Sequence, residues 1–249
     1  MTTVVEAGRR YLPRGWADLG RQLAIWLGFG LVYQVVRGLA DRKPPQTAFA
    51  HGLDVVRIET HFTNRLYELT LEQFVSQRHL LETAVSWTYW NSEFTVVGAA
   101  VLWVYVRHHE RFYGFRNSVL LANVIGLFGY FFWPTAPPRL LGIGFVDQHR
   151  DGVVQLLANP YAAMPSLHAA DALIVGVVMF TACRRWWAKA LWTVWPLWVW
   201  FSVMATGNHF WLDCLAGNLV ALVAMAVVFR WRFGLRSEEA TPFAAARRA

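Results

Sequence analysis

Six predominantly apolar runs, at residues 22–39, 81–106, 118–133, 167–183, 187–205 and 210–230, leave this chain few ways to fold. A helix needs about 20 mostly apolar residues to cross a bilayer. In hydrocarbon, backbone polar groups must be satisfied within the structure itself, which a helix achieves. The runs therefore predict an all-α polytopic membrane bundle with six transmembrane helices, the third and fourth short by hydropathy. Composition agrees: 56% of residues are hydrophobic, 14 are Trp, 17 are Phe and only 16% are charged, against about 25% charged in soluble domains. No Gly/Ser-rich linker, repeat or low-complexity tract divides the sequence, so 1–249 reads as a single integral membrane domain.

The cations fix a direction. Arg9, Arg10, Arg14 and Arg21 precede the first run. Arg107, Arg111 and Arg116 lie between the second and third, Arg184, Arg185 and Lys189 between the fourth and fifth, and Arg230, Arg232 and Arg236 at the end of the sixth. Six spans put all four clusters on one side, which positive-inside bias makes cytoplasmic. Residues 1–21 are then a cytoplasmic N-terminus and 231–249 a cytoplasmic tail. The same placement accounts for the net charge of +7 without nucleic acid. No small-residue cleavage site follows the first arginines, so an uncleaved first span is expected, in a membrane protein of the bacterial cell membrane. Arg42, Lys43, Arg57, Arg65 and Arg78 fall outside, so the rule holds as a bias. Residues 46–80 mix Phe49, Leu53, Val56, Ile58, Phe62, Leu66, Leu69 and Phe74 with charges. That pattern predicts one or two amphipathic helices on the outer interface, serving as a lid or as a plain connector. Cys183 and Cys214 are read toward opposite faces, so neither a disulfide nor a metal-binding cysteine pattern is expected.

The topology also brings chemistry together. The 134–166 loop ends at His168 and the 206–209 turn ends at His209, so both rings and Asp213 reach the extracytoplasmic surface. His209 and Asp213 are four apart, on one face of a helix beginning near Phe210. Asp213 is expected to accept a hydrogen bond from one ring nitrogen of His209 and leave the other with a lone pair. Such a pair can also merely pin helices, and a lone His168 at a helix start can be polar capping. Three groups on one face favour catalysis. Phosphate needs a cation, and Arg139, behind Pro137 and Pro138, offers a bidentate fork; Arg150 is the reserve. Ser166, which could also simply cap the His168 helix, is placed with Arg139 as a phosphate ligand, and that helix start is itself an anion site. Asp171, Asn208 and Tyr161 are candidates for the head-group pocket. Asn91 and Glu93 lie inside the second run and are given no catalytic role. The catalytic core is placed at 116–230.

These residues resemble the type 2 phosphatidic acid phosphatase superfamily, the lipid phosphate phosphatases. Pro165-Ser166-Leu167-His168 is similar to that family's second motif, Pro-Ser-Gly-His. The run Ser202, His209, Asp213 and Gly217 is similar to its third, Ser-Arg-x5-His-x3-Asp with a following Gly. The resemblance implies that His209 attacks phosphorus, His168 protonates the leaving group and Asp213 orients the nucleophile, in a six-helix bundle needing no metal or other cofactor. Leu167 stands where the phosphatases have Gly, Val203 where they have a phosphate-binding Arg, and no Lys-x6-Arg-Pro first motif occurs. Met164-Pro165-Ser166-Leu167-His168 and the upstream Pro-x-x-Pro-Pro look instead like the inositol phosphorylceramide synthase branch.

The expected function is that of a membrane-embedded lipid phosphate phosphatase, acting at the extracytoplasmic face through a phosphohistidine. The alternative is a phospho-head-group transferase of the inositol phosphorylceramide synthase type. Haem ligation by the two histidines, or lipid transport without catalysis, are remoter readings. The partners expected are a lipid phosphate or phospholipid substrate and the surrounding lipids.

Overall fold

A computed structural model describes residues 12–40, 45–145 and 161–239, and within them the chain is helical without a strand. The elements are α1 (Gly15–Ala40), α2 (Pro45–Thr63), α3 (Tyr67–Ser76), α4 (His79–Asn91), a π-helical turn (Ser92–Val96), α5 (Val97–Arg107), α6 (His109–Phe132), α7 (Leu167–Ala182), α8 (Trp186–Ala205) and α9 (Trp211–Glu239). Three segments are long and apolar enough to cross a membrane, Gly15–Val36, His109–Phe132 and Trp211–Arg230, with Leu167–Ala182 a shorter apolar helix. The six-run pattern thus returns as helices, and length and composition mark three of them as spans.

Shape follows from which faces are apolar. α7 is the axis: it packs on α6, α8 and α9 and buries Ala169, Ala170, Ile174, Val175 and Val178 around most of its girth. A helix hydrophobic all round belongs in the interior, which explains how so short a run sits in the bundle. α1 is the opposite case. It packs on α6 and leaves Leu27 and Leu31 70% exposed, a surface suited only to lipid.

α6 begins at His109, nine residues before the predicted start of its run at 118. Hydropathy stops at Arg111 and Arg116, but the helix does not. The Arg116 guanidinium hydrogen-bonds Gln22 and Asn117 and lies 5.2 Å over the Tyr113 ring, so its charge sits at the bundle's edge while the stem continues the helix. At the same end, Asp18 of α1 accepts from Tyr105 Oη of α5 at 3.0 Å, and Arg14 donates to Tyr113 Oη at 2.9 Å.

The amphipathic 46–80 region folds as α2 and α3. Within that mix of apolar and charged residues, Glu59, Glu68 and Glu72 are buried. They turn inward because each of the first two finds helix-end amides, as described below. His51 of α2 stacks on Trp133 at 3.8 Å and donates from Nδ1 to the Pro134 carbonyl at 2.8 Å. The Ala136 amide donates to Ala48 O at 2.9 Å. These contacts fasten α2 over the loop that follows α6.

Candidate active site

The start of α9 sets the geometry. The first amides of a helix lack intrahelical partners, and here three carboxylates take them. Asp213, at the third helical position, reaches back to the Phe210 amide at 2.9 Å, half of a capping box. Glu68 accepts from the Trp211 amide at 2.8 Å and Glu59 from the Leu212 amide at 2.9 Å. Two acids from the interfacial helices thus clamp the helix that carries Asp213, where the helix dipole favours negative charge. Burial, and then the neighbouring Glu68, push the Glu59 carboxyl up to about 9. Burial likewise raises Glu68. Glu59 Oε2, Glu68 Oε2 and Asp213 Oδ1 have no hydrogen-bond partner among the described residues.

The turn before α9 positions His209. Gly207 has φ +66°, a left-handed value that favours glycine, and a Cβ there would meet the Phe145 ring at 2.8 Å. The amides of Asn208 and His209 both donate to Val203 O, at 3.0 and 3.1 Å. The loop after α6 closes from the other side. Thr135 and Ala162 form a parallel bridge, and the Ala163 amide donates to Thr135 O at 3.1 Å. That leaves the Ala163 carbonyl facing His209 Nδ1 at 2.8 Å. A carbonyl can only accept, so Nδ1 carries the proton and Nε2 the lone pair.

This revises one expectation. Asp213 Oδ2 lies 3.6 Å from His209 Nδ1, too long for a direct hydrogen bond. Ala163 O, not Asp213, holds the tautomer, and Asp213 supplies a buried negative charge beside the ring. Sequence could not show this, because the Ala163 carbonyl is 46 residues away and has no side-chain signature.

His168 is on the first turn of α7, with its ring centroid 5.5 Å from that of His209. Its ring stacks on Tyr89 at 4.7 Å. Nε2 donates to the Tyr89 carbonyl at 3.2 Å, and Nδ1 lies 3.4 Å from Glu93 Oε1. Glu93, passed over in the sequence, is therefore part of the site. The signal was present: an ionisable residue within an apolar run.

Arg139 is brought in by the Pro138–Leu140 3-10 turn. Its amide donates to Gly207 O at 3.0 Å and its Nε to Asn208 Oδ1 at 2.9 Å. Asn208 in turn donates to Thr206 Oγ1 at 2.8 Å. Asn208 is thus a brace for the guanidinium. Asp171 accepts from Asn123 Nδ2 through both oxygens, at 3.1 Å each.

Ser166 corrects to the capping role. Its Oγ accepts from the Ala169 amide at 3.3 Å, and the residue is fully buried and does not line the cavity that holds the histidines. The Ser166 carbonyl lies against α9, where a Cβ on Gly217 would clash with it; only glycine permits that approach. The α7 helix start accordingly abuts α9. Tyr161 packs edge-on to Phe49 at 6.1 Å, on the interfacial-helix side. Arg150 lies outside the described residues.

His168, His209, Arg139, Asn208, Asp171 and Glu93 share one cavity of ≈ 840 Å³. From this polar end it continues between α1 and α4–α5, past Trp26, Leu27, Phe94, Val97 and Val101, to Gln22 and Tyr105. Tyr89 and Tyr105, at its two ends, are separated by about 24 Å of helix. No described residue of 46–80 lines it, so α2 and α3 act as a clamp on α9 and not as a wall of the cavity. Val203, where the phosphatase motif has Arg, is fully buried in an apolar cluster with Ala169, Ala172, Val199 and Cys214.

Comparison with known proteins follows the same lines. The PAP2 superfamily model matches residues 54–227. A stretch of 138 residues is 28% identical to the phosphoinositol dihydroceramide synthase of Bacteroides thetaiotaomicron, taking in 47% of this chain and 45% of that protein, so less than half of that relative is spanned. The crystal structure of Aquifex aeolicus LpxE has a similar fold, with a TM-score of 0.53 and 17% identity over 65% of this chain and 93% of that one. With the family match running from α2 to α9, the chain belongs to the PAP2 superfamily, whose members are phosphatases or phosphotransferases.

Proposed function

We propose that this protein cleaves a lipid-linked phosphate at the extracytoplasmic face of the membrane, through a phosphohistidine on His209. The observation that carries the reading is the His209 tautomer: Nδ1–H donates to Ala163 O at 2.8 Å, which leaves Nε2 nucleophilic. Attack forms an N–P bond and breaks the P–O bond to the lipid. Asp213 offsets the positive charge that develops on the His209 ring. His168 gives a proton to the departing oxygen, and Arg139, braced by Asn208, neutralises the phosphoryl oxygens. Water then attacks phosphorus, loses a proton to His168 and releases phosphate. The cavity's apolar length supports a substrate whose chains stay in the bilayer while its phosphate meets the histidines.

A second reading has its own support. In a phosphotransferase the first half-reaction is the same, and a hydroxyl acceptor replaces water. Kinship with a relative named as a phosphoinositol dihydroceramide synthase favours it, as do Leu167 and Val203 at the two motif positions where the phosphatases differ.

The deciding experiment incubates purified protein with a panel of lipid phosphates and phospho-head-group lipids, with and without hydroxyl-bearing lipids, and scores free phosphate against new lipid products. A ³²P-labelled, acid-labile adduct should form in wild type and be absent in His209→Ala. An adduct of full yield in that variant would sink the assignment. Orientation is tested separately in a background lacking Cys183 and Cys214. A cysteine at Thr70 should react with an impermeant maleimide in intact cells, and one at Glu110 only after permeabilisation; the reverse would move the site to the cytoplasmic leaflet.

A further inference from the structure

Glu93 has no place in the mechanism so far, yet its carboxyl group lies 3.4 Å from a ring nitrogen of His168, the residue that moves the proton. It sits in the π-helical turn Ser92–Val96, the one break in regular helix between His79 and Arg107 among the described residues. π-turns inside α-helices are rare and cluster at functional sites. A carboxyl group on an apolar helix is costly unless it has a partner. The partner here is His168, whose Nδ1 lies 3.4 Å from Glu93 Oε1.

The two nitrogens of His168 are held differently. Nε2 is fixed on the Tyr89 carbonyl at 3.2 Å, an acceptor that cannot take a proton to keep. The Nδ1 contact is longer than a formed N–H···O bond, and both groups line the cavity. A departing oxygen can therefore approach Nδ1, while Nε2 is shielded. His209 and Arg139 face Glu93 across the same cavity, with Asp171 of α7, Tyr130 of α6 and Tyr33 of α1 on its walls.

We propose that Glu93 is a positioning residue that acts through His168, keeping the transferable proton on Nδ1 beside its carboxyl group, so that Nδ1 and not Nε2 is the acidic nitrogen. This rests on the phosphoryl reading above. As the P–O bond to the lipid breaks, the leaving oxygen takes the proton from His168 Nδ1 and the imidazolium becomes neutral. In the second half, the attacking hydroxyl group returns one proton to Nδ1 as its oxygen bonds phosphorus and the N–P bond breaks. The Nδ1 proton is on His168 before the first transfer and again after the second, with the Glu93 carboxyl group beside it at both stages.

The test uses full-length protein in lipid nanodiscs, with Glu93→Gln, Glu93→Asp, His168→Gln and the Glu93→Gln/His168→Gln double variant. An alkyl phosphate and a nitrophenyl phosphate serve as substrates. Glu93→Gln should lower kcat on the alkyl phosphate about 10²-fold, the lower end for general acid catalysis, with a much smaller loss on the nitrophenyl ester and little change in KM. The alkaline limb of its pH profile should move down by about one pH unit, the effect of removing one close opposite charge. Adding it to His168→Gln should cost nothing more, since both act through one ring. Equal losses on both substrates, or additive losses in the double variant, would overturn the proposal. ¹⁵N-histidine NMR gives a readout independent of turnover: Glu93→Gln should change the charge state of the His168 ring at a given pH, and Glu93→Asp should restore part of it. An unchanged His168 signal also overturns the proposal. If wild type is inert on every phosphate offered, the functional reading fails, and the NMR comparison still decides whether Glu93 controls His168.

Discussion

The two site histidines lie 5.5 Å apart, but the fold holds them by different means. His209 is set in a turn whose amides bond Val203 O, and its Nδ1 is tied to the Ala163 carbonyl. The helix that follows is capped by Asp213, Glu68 and Glu59. The Ala163 contact fixes one tautomer and one ring orientation, and the others hold the turn and the helix start on which the ring is carried. His168 stands at the mouth of the cleft between α1 and α4–α5, with a carboxyl group beside Nδ1. A nucleophile must keep one protonation state until it attacks, whereas an acid must change state twice per turnover. The rigid half suits the first requirement and the cleft half the second.

The largest test of the rigid half is the pair His209→Ala and Asp213→Asn. Loss of the nucleophile should cost about 10⁴-fold or more in kcat, the scale of deleting a nucleophile outright. Asp213→Asn should cost less, about 10²-fold, because Ala163 O and not Asp213 sets the tautomer. Charge support at the imidazolium is what the asparagine removes. Single-turnover kinetics on the labelled adduct measure both. If Asp213→Asn is as inert as His209→Ala, the 3.6 Å contact closes in the working enzyme and Asp213 orients the ring after all.

Arg139 joins the two halves, since its amide is tied to Gly207 and its side chain lines the cavity. Arg139→Ala should lower kcat/KM by about 10²–10³-fold, the range for one preorganised donor to developing charge. Arg139→Lys should recover only part, because an ammonium is a point charge and not a fork. Asn208→Ala removes the brace on Nε and should have a smaller effect, chiefly on kcat. A full kcat/KM in Arg139→Ala would mean that phosphate is held elsewhere.

What the sequence disclosed, and what it did not, divides along the same line. Helix positions were legible because apolar runs between arginine clusters have few structural solutions. His168, His209 and Asp213 stood out because topology alone puts their loops on one face, and Arg139 because a phosphate needs a cation there. The cap on α9 was not. Glu59 and Glu68 lie about 150 residues before their amide partners, and on an amphipathic helix an acid reads as solvated. The start of α6 was missed because a hydropathy window treats Arg116 as an end, whereas its guanidinium finds Gln22 and Asn117 at the bundle edge. Ser166 reads as a phosphate ligand in sequence, and only its bond to the Ala169 amide and its burial assign it to the helix cap.

The clamp formed by α2 and α3 makes stability depend on pH with a definite sign. Glu59 titrates at about 9 in the folded protein, against an ordinary value of 4.5. Between these values the folded state binds more protons than the unfolded one, so stability is full below about 4.5 and falls as pH rises toward 9. The slope is at most about 1.4 kcal/mol per pH unit for one group. Thermal unfolding in nanodiscs between pH 5 and 9 should show Tm decreasing. Glu59→Gln keeps an oxygen for the Leu212 amide without a titrating proton, so its Tm should vary less with pH. A Tm that rises with pH in wild type, or equal slopes in both, would show that the buried acids do not set this dependence.

The smallest expected effect probes the cleft, where contacts are loose and a substitution can be accommodated. Val101 of α5 lines the cavity about 12 Å of helix below Glu93. Val101→Trp puts a large ring into the apolar passage without touching either histidine. A lipid phosphate with long chains should lose about tenfold in kcat/KM, the scale of one to two buried methylenes displaced from a pocket. Nitrophenyl phosphate, which needs only the polar end, should be turned over at the wild-type rate. Leu219→Trp, on a face of α9 that is 61% exposed, serves as the control and should change neither rate. If Val101→Trp slows both substrates equally, the ring has disturbed α4 and with it His168, and the cleft is part of the catalytic frame. If it slows neither, the lipid chains lie outside the cavity, along the exposed faces of α1 and α5.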